Sequence, residues 1–190
     1  MPITYTETEI KGLLSITPHM FEDNRGIYKK CYERDSFKEM GITAEFTESS
    51  DIFSVKGALR GLHYQRHYSQ AKLLYVISGT IYDAALDLRE GSPTFGKVHT
   101  ELLDAADNRV LYIPEGFAHG FITLSETALF NYQCSGKYDP PSCGGILWND
   151  PELNIPWPLK EYGITDVICT EKDRSWPTLR EYCSLFSIAH

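Results

Sequence analysis

Residues 72–88 read KLLYVISGTIYDAALDL, and the fold class turns on this stretch. Leu73–Ile77 is a short apolar run closed by the turn pair Ser78-Gly79, and Ile81–Leu88 follows at once. Both runs read as strands, and their adjacency predicts a hairpin across Ser78-Gly79. The same grammar continues outward. Val110–Ile113 is another short run that stops at Pro114, and Phe121–Leu124 and Ala128–Tyr132 flank a polar Ser125-Glu126 turn. Tyr and Phe are plentiful, which suits a pleated surface. Helix is scarce. Asp35 is placed to cap a short helix over Ser36–Met40 with Gly41 past its end, and Leu179, Tyr182, Cys183 and Phe186 share one helical face. Many short strands between frequent turns predict an all-β sandwich or jelly-roll barrel with a few short peripheral helices. A single domain over residues 1–190 is expected: N-terminal strands, a barrel core over about 45–150, and a C-terminal segment with a short helix.

Composition narrows the partners. A net charge of −8 argues against a nucleic-acid binder, while a few local Arg and Lys can still serve a diphosphate. Cys31, Cys134, Cys143, Cys169 and Cys183 are widely spaced and form no CxxC pair, so reduced thiols are expected rather than a zinc ribbon. The polar start MPITYTETEIKG shows neither signal peptide nor membrane span, so cytoplasmic residence and no membrane partner are the expectation. The chain carries no GxGxxG after a strand, no P-loop and no GxSxG elbow, so no nicotinamide cofactor, nucleotide triphosphate chemistry or hydrolase nucleophile is expected.

Pro114-Glu115-Gly116-Phe117-Ala118-His119 has the PxGxxH spacing and resembles the second half-motif of metal-binding cupin barrels. The corresponding first half is Gly61-Leu62-His63-Tyr64-Gln65, where Gln65 replaces a second histidine and Lys72 lies where a carboxylate ligand would help. An ammonium beside a divalent cation opposes its binding, so a cupin-like barrel without a metal is expected.

Arg60, His63, Lys72, His119 and Tyr132 all lie on or beside predicted strands. A lone histidine is more often structural than catalytic and a lone lysine is usually solvated. Several ionisable groups converging on one pocket would be costly without a ligand.

Arg60-Gly61-Leu62-His63-Tyr64-Gln65, Gln70-Ala71-Lys72-Leu73, Asp87-Leu88-Arg89 with Ser92-Pro93-Thr94-Phe95-Gly96, Ile113–Phe121, Trp148-Asn149-Asp150-Pro151 with Trp157-Pro158, and Glu171-Lys172-Asp173 stand in order from about Asp23 to Pro177. Together they resemble the dTDP-4-dehydrorhamnose 3,5-epimerase family. The resemblance implies a jelly-roll barrel, usually a homodimer sharing N-terminal strands, and a nucleotide-linked 4-keto-6-deoxy sugar as substrate. A ketone at sugar carbon 4 acidifies the hydrogens on carbons 3 and 5. Removing one gives an enolate, and a proton returned from the other face inverts the centre, with no cofactor.

The resemblance assigns the roles. His63 is the base, which should titrate near neutrality, and Asp173 orients it. Lys72 meets the enolate oxygen and Tyr132 returns the proton. His119 helps bind the sugar, Arg25 and Arg60 anchor the diphosphate with Lys172 as a further candidate, and Tyr138 stacks on the base or covers the sugar. On residues alone, Asp173 reads as a surface residue in a charged run and Tyr132 as a packed strand tyrosine.

Departures from the family pattern cluster on the nucleotide side. Lys30 stands for a glutamate, Glu48-Ser49-Ser50 for a Gln-Asp-Asn stretch, Cys143 for another glutamate and Leu147 for an arginine. A lysine for a glutamate exchanges acceptor for donor, so Lys30, Glu48, Ser50 and Cys143 put the nucleotide in question, with CDP or another diphosphate beside dTDP. Other readings stay open: a single-site epimerase, a keto isomerase using the same enolate, a non-catalytic sugar-binding module and a metal-dependent dioxygenase.

Overall fold

The computed structural model describes residues 3–188. Its strands, numbered along the chain, form two antiparallel sheets and a ribbon. The first sheet runs β1 (Thr4–Glu7), β2 (Leu14–Thr17), β10 (Val110–Ile113), β7 (Lys72–Ser78), β12 (Thr127–Ser135) and β5 (Phe46–Val55). The second runs β13 (Cys143–Gly145), β6 (Leu59–Gln65), β11 (Phe117–Thr123), β8 (Thr80–Asp87) and β9 (Val98–Asp104). The ribbon pairs β3 (His19–Asp23) with β4 (Gly26–Lys30) and leaves Phe21, Ile27 and Tyr28 exposed.

Side-chain alternation explains how the sheets meet. Leu74 and Val76 of β7, Leu111 and Ile113 of β10, and Ala128 and Phe130 of β12 point inward from the first sheet. They meet Ile81 and Ala85 of β8, Leu103 of β9, and Phe117 and Phe121 of β11 from the second. Phe121 and Phe130 bridge the two sheets edge to face, 4.5 Å between centroids. The alternate residues face outward. Leu73, Val110 and Tyr112 are covered by Phe37 of α1 (Arg34–Glu39). Leu62, Ala84, Leu86 and Ala118 are covered by Leu179, Tyr182 and Cys183 of α3 (Leu179–Phe186). The result is the expected jelly-roll barrel with short peripheral helices. All five cysteines are unpaired.

Two local expectations are corrected. The runs on either side of Ser78-Gly79 do not form a hairpin: β7 pairs with β10 and β12, and β8 pairs with β9 and β11. Gly79, at φ +79°, turns the chain from one sheet to the other, and a Cβ there would meet the Thr127 carbonyl at 2.2 Å. Two adjacent apolar runs fit a sheet-crossing corner as well as a hairpin, because both bury one face. The strands around Ser125-Glu126 likewise belong to opposite sheets. The first helix starts two residues earlier than Asp35 predicts: Glu33 is its N-cap and Asp35 lies in its first turn, beside the positive end of the helix dipole.

Candidate active site

The inward faces are apolar at one end of the barrel and polar at the other. Lys72 shares its face of β7 with Leu74 and Val76, and Tyr132 shares its face of β12 with Phe130. His119 sits between Phe117 and Phe121 on β11. At the polar end the sheets enclose a cavity of about 660 Å³, lined by His63, Lys72, His119 and Tyr132 together with Arg60 and Asp173.

His63 Nε2 lies 2.6 Å from Asp173 Oδ1. Register places His63 opposite His119, and the close approach of β6 to β11 depends on Gly61. Gly61 adopts φ +138°, and a Cβ there would fall 2.4 Å from Gly120 Cα. Asp173 reaches the cavity from α2 (Glu171–Arg174), a short helix capped by Thr170. The Thr170 hydroxyl donates to Asp173 Oδ2 at 2.7 Å and Trp176 Nε1 donates to Oδ1 at 3.3 Å. Burial alone would raise this carboxyl, but hydrogen bonds from His63 and Thr170 outweigh it and hold it below the ordinary aspartate range. Burial pushes His63 down, against the pull of Asp173 upward, and the net position is below an ordinary histidine. About half of the imidazole, 47%, stays open to the cavity. His63 is therefore a neutral, accessible proton acceptor at neutral pH, with a carboxylate behind it to receive the imidazolium.

A second imidazole–carboxylate pair lies beside the first. His119 Nε2 is 2.7 Å from Asp83 Oδ2, and both residues are buried. The other oxygen, Asp83 Oδ1, is buried without a hydrogen-bond partner among the described residues. Burial depresses Lys72, partly countered by the attraction of Cys134, Cys143 and Asp83. Burial raises Tyr132 above an ordinary phenol, which keeps it protonated. The site thus holds an imidazole, a lysine amine and a phenol in one cavity, which suits removal and return of a carbon-bound proton beside a carbonyl.

Gln65 shows how this barrel departs from a metal site. Its Nε2 donates to the Tyr68 and Lys137 carbonyls at 2.8 and 3.0 Å, and its Oε1 accepts from Asp139 N at 2.8 Å. The amide clamps the loop that carries Tyr138, with both of its ends in use.

Of the residues singled out from sequence, Arg60, Glu48, Tyr138, Cys143 and Lys172 also line the cavity. Arg25, Lys30 and Ser50 do not line it in this one chain. Arg25 is exposed on the ribbon and paired with Asp23 at 2.6 Å, and Lys30 is paired with Glu33 at 2.9 Å. Ser50 sits opposite Tyr132 in the ladder but is exposed outside the cavity wall. Three participants were missed: Asp83, Thr170 and Trp176. Asp83 carried a signal, an acid in the middle of an apolar run.

The family model described as dTDP-4-dehydrorhamnose 3,5-epimerase matches residues 7–181. The chain is 41% identical over 177 residues to the dTDP-4-dehydrorhamnose 3,5-epimerase of Methanothermobacter thermautotrophicus, covering 93% of this chain and 95% of that protein. It is similar to a crystal structure of dTDP-6-deoxy-D-glucose-3,5-epimerase from Legionella pneumophila in complex with dTDP-4-keto-L-rhamnose, at 38% identity and TM-score 0.89 over 94% of each chain. It also resembles a 3'-monoepimerase from Streptomyces bikiniensis in complex with dTDP-quinovose, at 29% identity and TM-score 0.86 over 95% of this chain and 90% of that one.

Proposed function

The chain belongs to the dTDP-4-dehydrorhamnose 3,5-epimerase family, and from that premise we propose that it is an isomerase that inverts carbons 3 and 5 of dTDP-4-dehydro-6-deoxy-D-glucose in a rhamnose-type pathway. The observation that carries this reading is the 2.6 Å His63–Asp173 pair open to a cavity shared with Lys72 and Tyr132.

His63 takes the proton next to the 4-keto group, and Asp173 holds the imidazole and stabilises its charged form. The electrons move onto the ketone oxygen, where the Lys72 ammonium meets the developing charge. Tyr132 returns a proton from the opposite wall; solvent then reprotonates the phenolate and takes the proton from the His63 imidazolium. His119, fixed by Asp83, and Tyr138 hold the sugar, while Arg60 and Lys172 hold the diphosphate. Glu48 and Cys143 complete the cavity wall toward the substrate. The chemistry balances without redox and needs no cofactor.

Arg25, Lys30 and Ser50 have a place in this reading only if a second copy closes the site. The exposed Phe21, Ile27 and Tyr28 on the ribbon support a homodimer that shares its N-terminal strands, with Arg25 serving the neighbour's diphosphate. Sedimentation velocity that gives a monomer at assay concentration would remove this part. Five unpaired thiols support residence in the reducing cytoplasm. Among the described residues, no helix is long and apolar enough to cross a membrane.

The test is turnover of dTDP-4-keto-6-deoxyglucose, with binding of dTDP, CDP, UDP and GDP titrated in parallel. Epimerised product with dTDP preferred supports the reading. Turnover of the CDP sugar alone would move the nucleotide, as Lys30 and Cys143 invite. Binding without reaction would leave a sugar-binding barrel. Inversion of one carbon only would bring the chain closer to the 3'-monoepimerase in behaviour.

A further inference from the structure

Trp176 follows α2 and lines the cavity. Its indole is held from several sides. Nε1 donates to Asp173 Oδ1 at 3.3 Å, the same oxygen that lies 2.6 Å from His63. The ring stands edge-on to the His63 imidazole, 6.3 Å between centroids at 73°. Lys172 Nζ lies 4.9 Å from the ring centroid on its face. Gly145 leaves room beneath it: a Cβ there would fall 2.4 to 2.6 Å from the indole Nε1, Cε2 and Cδ1. The ring is thus packed against a position that leaves no room for a side chain.

We propose that Trp176 is a positioning residue, whose indole N–H shares Asp173 Oδ1 with His63 and so sets how much of the carboxylate's charge the base receives. This rests on the reading of His63 as base. Asp173 has only two oxygens, and Thr170 occupies Oδ2 while Trp176 takes part of Oδ1. Each extra donor to a carboxylate spreads its charge and weakens its hold on an adjacent cation. The same ring holds the Lys172 cation at the cavity wall, so one side chain ties the base pair to a candidate anion anchor.

Trp176→Phe keeps an aromatic ring and deletes the N–H. Asp173 then gives more of its charge to the imidazolium, and the His63 titration midpoint rises by about half a unit. The other groups that face His63 are unchanged: Asp173, His119, Lys72 and Lys172. Gly145→Ala retains the indole and displaces it, so it should move the midpoint in the same direction. The measurement is an NMR titration of the His63 ring in the substrate-free protein, assigned with His63→Asn. A rise in Trp176→Phe, with the acid limb of the rate profile moving up by the same amount, supports the proposal. A midpoint within about 0.1 unit of wild type in both folded variants overturns it. The titration needs no substrate, so a wild-type enzyme that turns over no 4-keto sugar nucleotide would defeat the catalytic reading while the Trp176 result still stood.

Discussion

His63 and Tyr132 enter one cavity from opposite sheets: His63 from β6 in the five-stranded sheet and Tyr132 from β12 in the six-stranded sheet. Inverting a carbon centre requires a proton to leave by one face and return by the other. A barrel whose two walls each contribute one of these groups meets that requirement by topology, provided a flat ring lies between the walls.

That division separates two steps by mutation. Tyr132→Phe removes the acid and leaves the base, so solvent exchange at the carbon next to the ketone should persist while inversion falls by about 10²-fold or more. Deuterium incorporation measured beside product stereochemistry checks this. Equal loss of both would place Tyr132 in binding rather than in proton return.

The directions of three shifts predict the pH profile. His63 lies below an ordinary histidine because burial disfavours its charged form, so the neutral base persists to below about pH 6.5. Burial raises Tyr132, so the phenol stays protonated to above about pH 10. The rate should therefore be flat through neutrality, with an acid limb below the ordinary histidine range; burial depresses the Lys72 ammonium, so an alkaline limb should come from loss of its proton before the Tyr132 phenol ionises. An acid limb above pH 7 in kcat/KM would contradict the assignment of His63.

Asp83 should matter twice. Asp83→Asn keeps the shape but loses the charge facing His119 Nε2 at 2.7 Å, and kcat/KM should fall about tenfold through sugar positioning. Asp83→Ala leaves His119 buried without its partner and should cost about 1–3 kcal/mol of stability in urea unfolding. Wild-type values for both variants would reduce the pair to packing.

Stability at low pH has a separate centre. The buried Asp87 carboxylate accepts from Arg89 Nε and Nη2 and from the Ser92 and Thr94 hydroxyls. Burial works against its charge, yet these donors bring it down to about 2. A carboxyl depressed on folding contributes stability above its unfolded value, near pH 4, and loses it as pH falls through the folded one. Asp87→Asn should therefore unfold more readily at pH 7, by about 2 kcal/mol, with the gap to wild type narrowing between about pH 4 and pH 2. A gap that does not narrow would mean packing, not charge, explains Asp87.

Much of the architecture was legible because the physical rule is local. Short apolar runs ended by Gly and Pro located β7, β8, β10 and the ends of β11 and β12, and Leu179, Tyr182 and Cys183 marked the buried face of α3. Pairing was not local. Ser78-Gly79 looked like a hairpin turn, and nothing within the two runs says that their partners lie elsewhere. His63 and Lys72 could be placed on strands able to face a barrel interior. Asp173 could not, because in sequence it stands in the charged run Glu171-Lys172-Asp173-Arg174, and only folding pairs it with His63, 110 residues earlier. Trp176 was invisible as a site residue for the same reason. The ribbon's part is not legible from one chain: Arg25 and Lys30 carry suitable charges, and within this chain they pair with Asp23 and Glu33.

The central claim is that His63 removes a carbon-bound proton beside a ketone. The direct measurement is deuterium uptake by NMR in heavy water, with dTDP-4-keto-6-deoxyglucose, for wild type and His63→Ala. The account predicts uptake at carbons 3 and 5 with wild type, and a fall of about 10²–10⁴-fold with His63→Ala. Undiminished uptake in folded His63→Ala would contradict it.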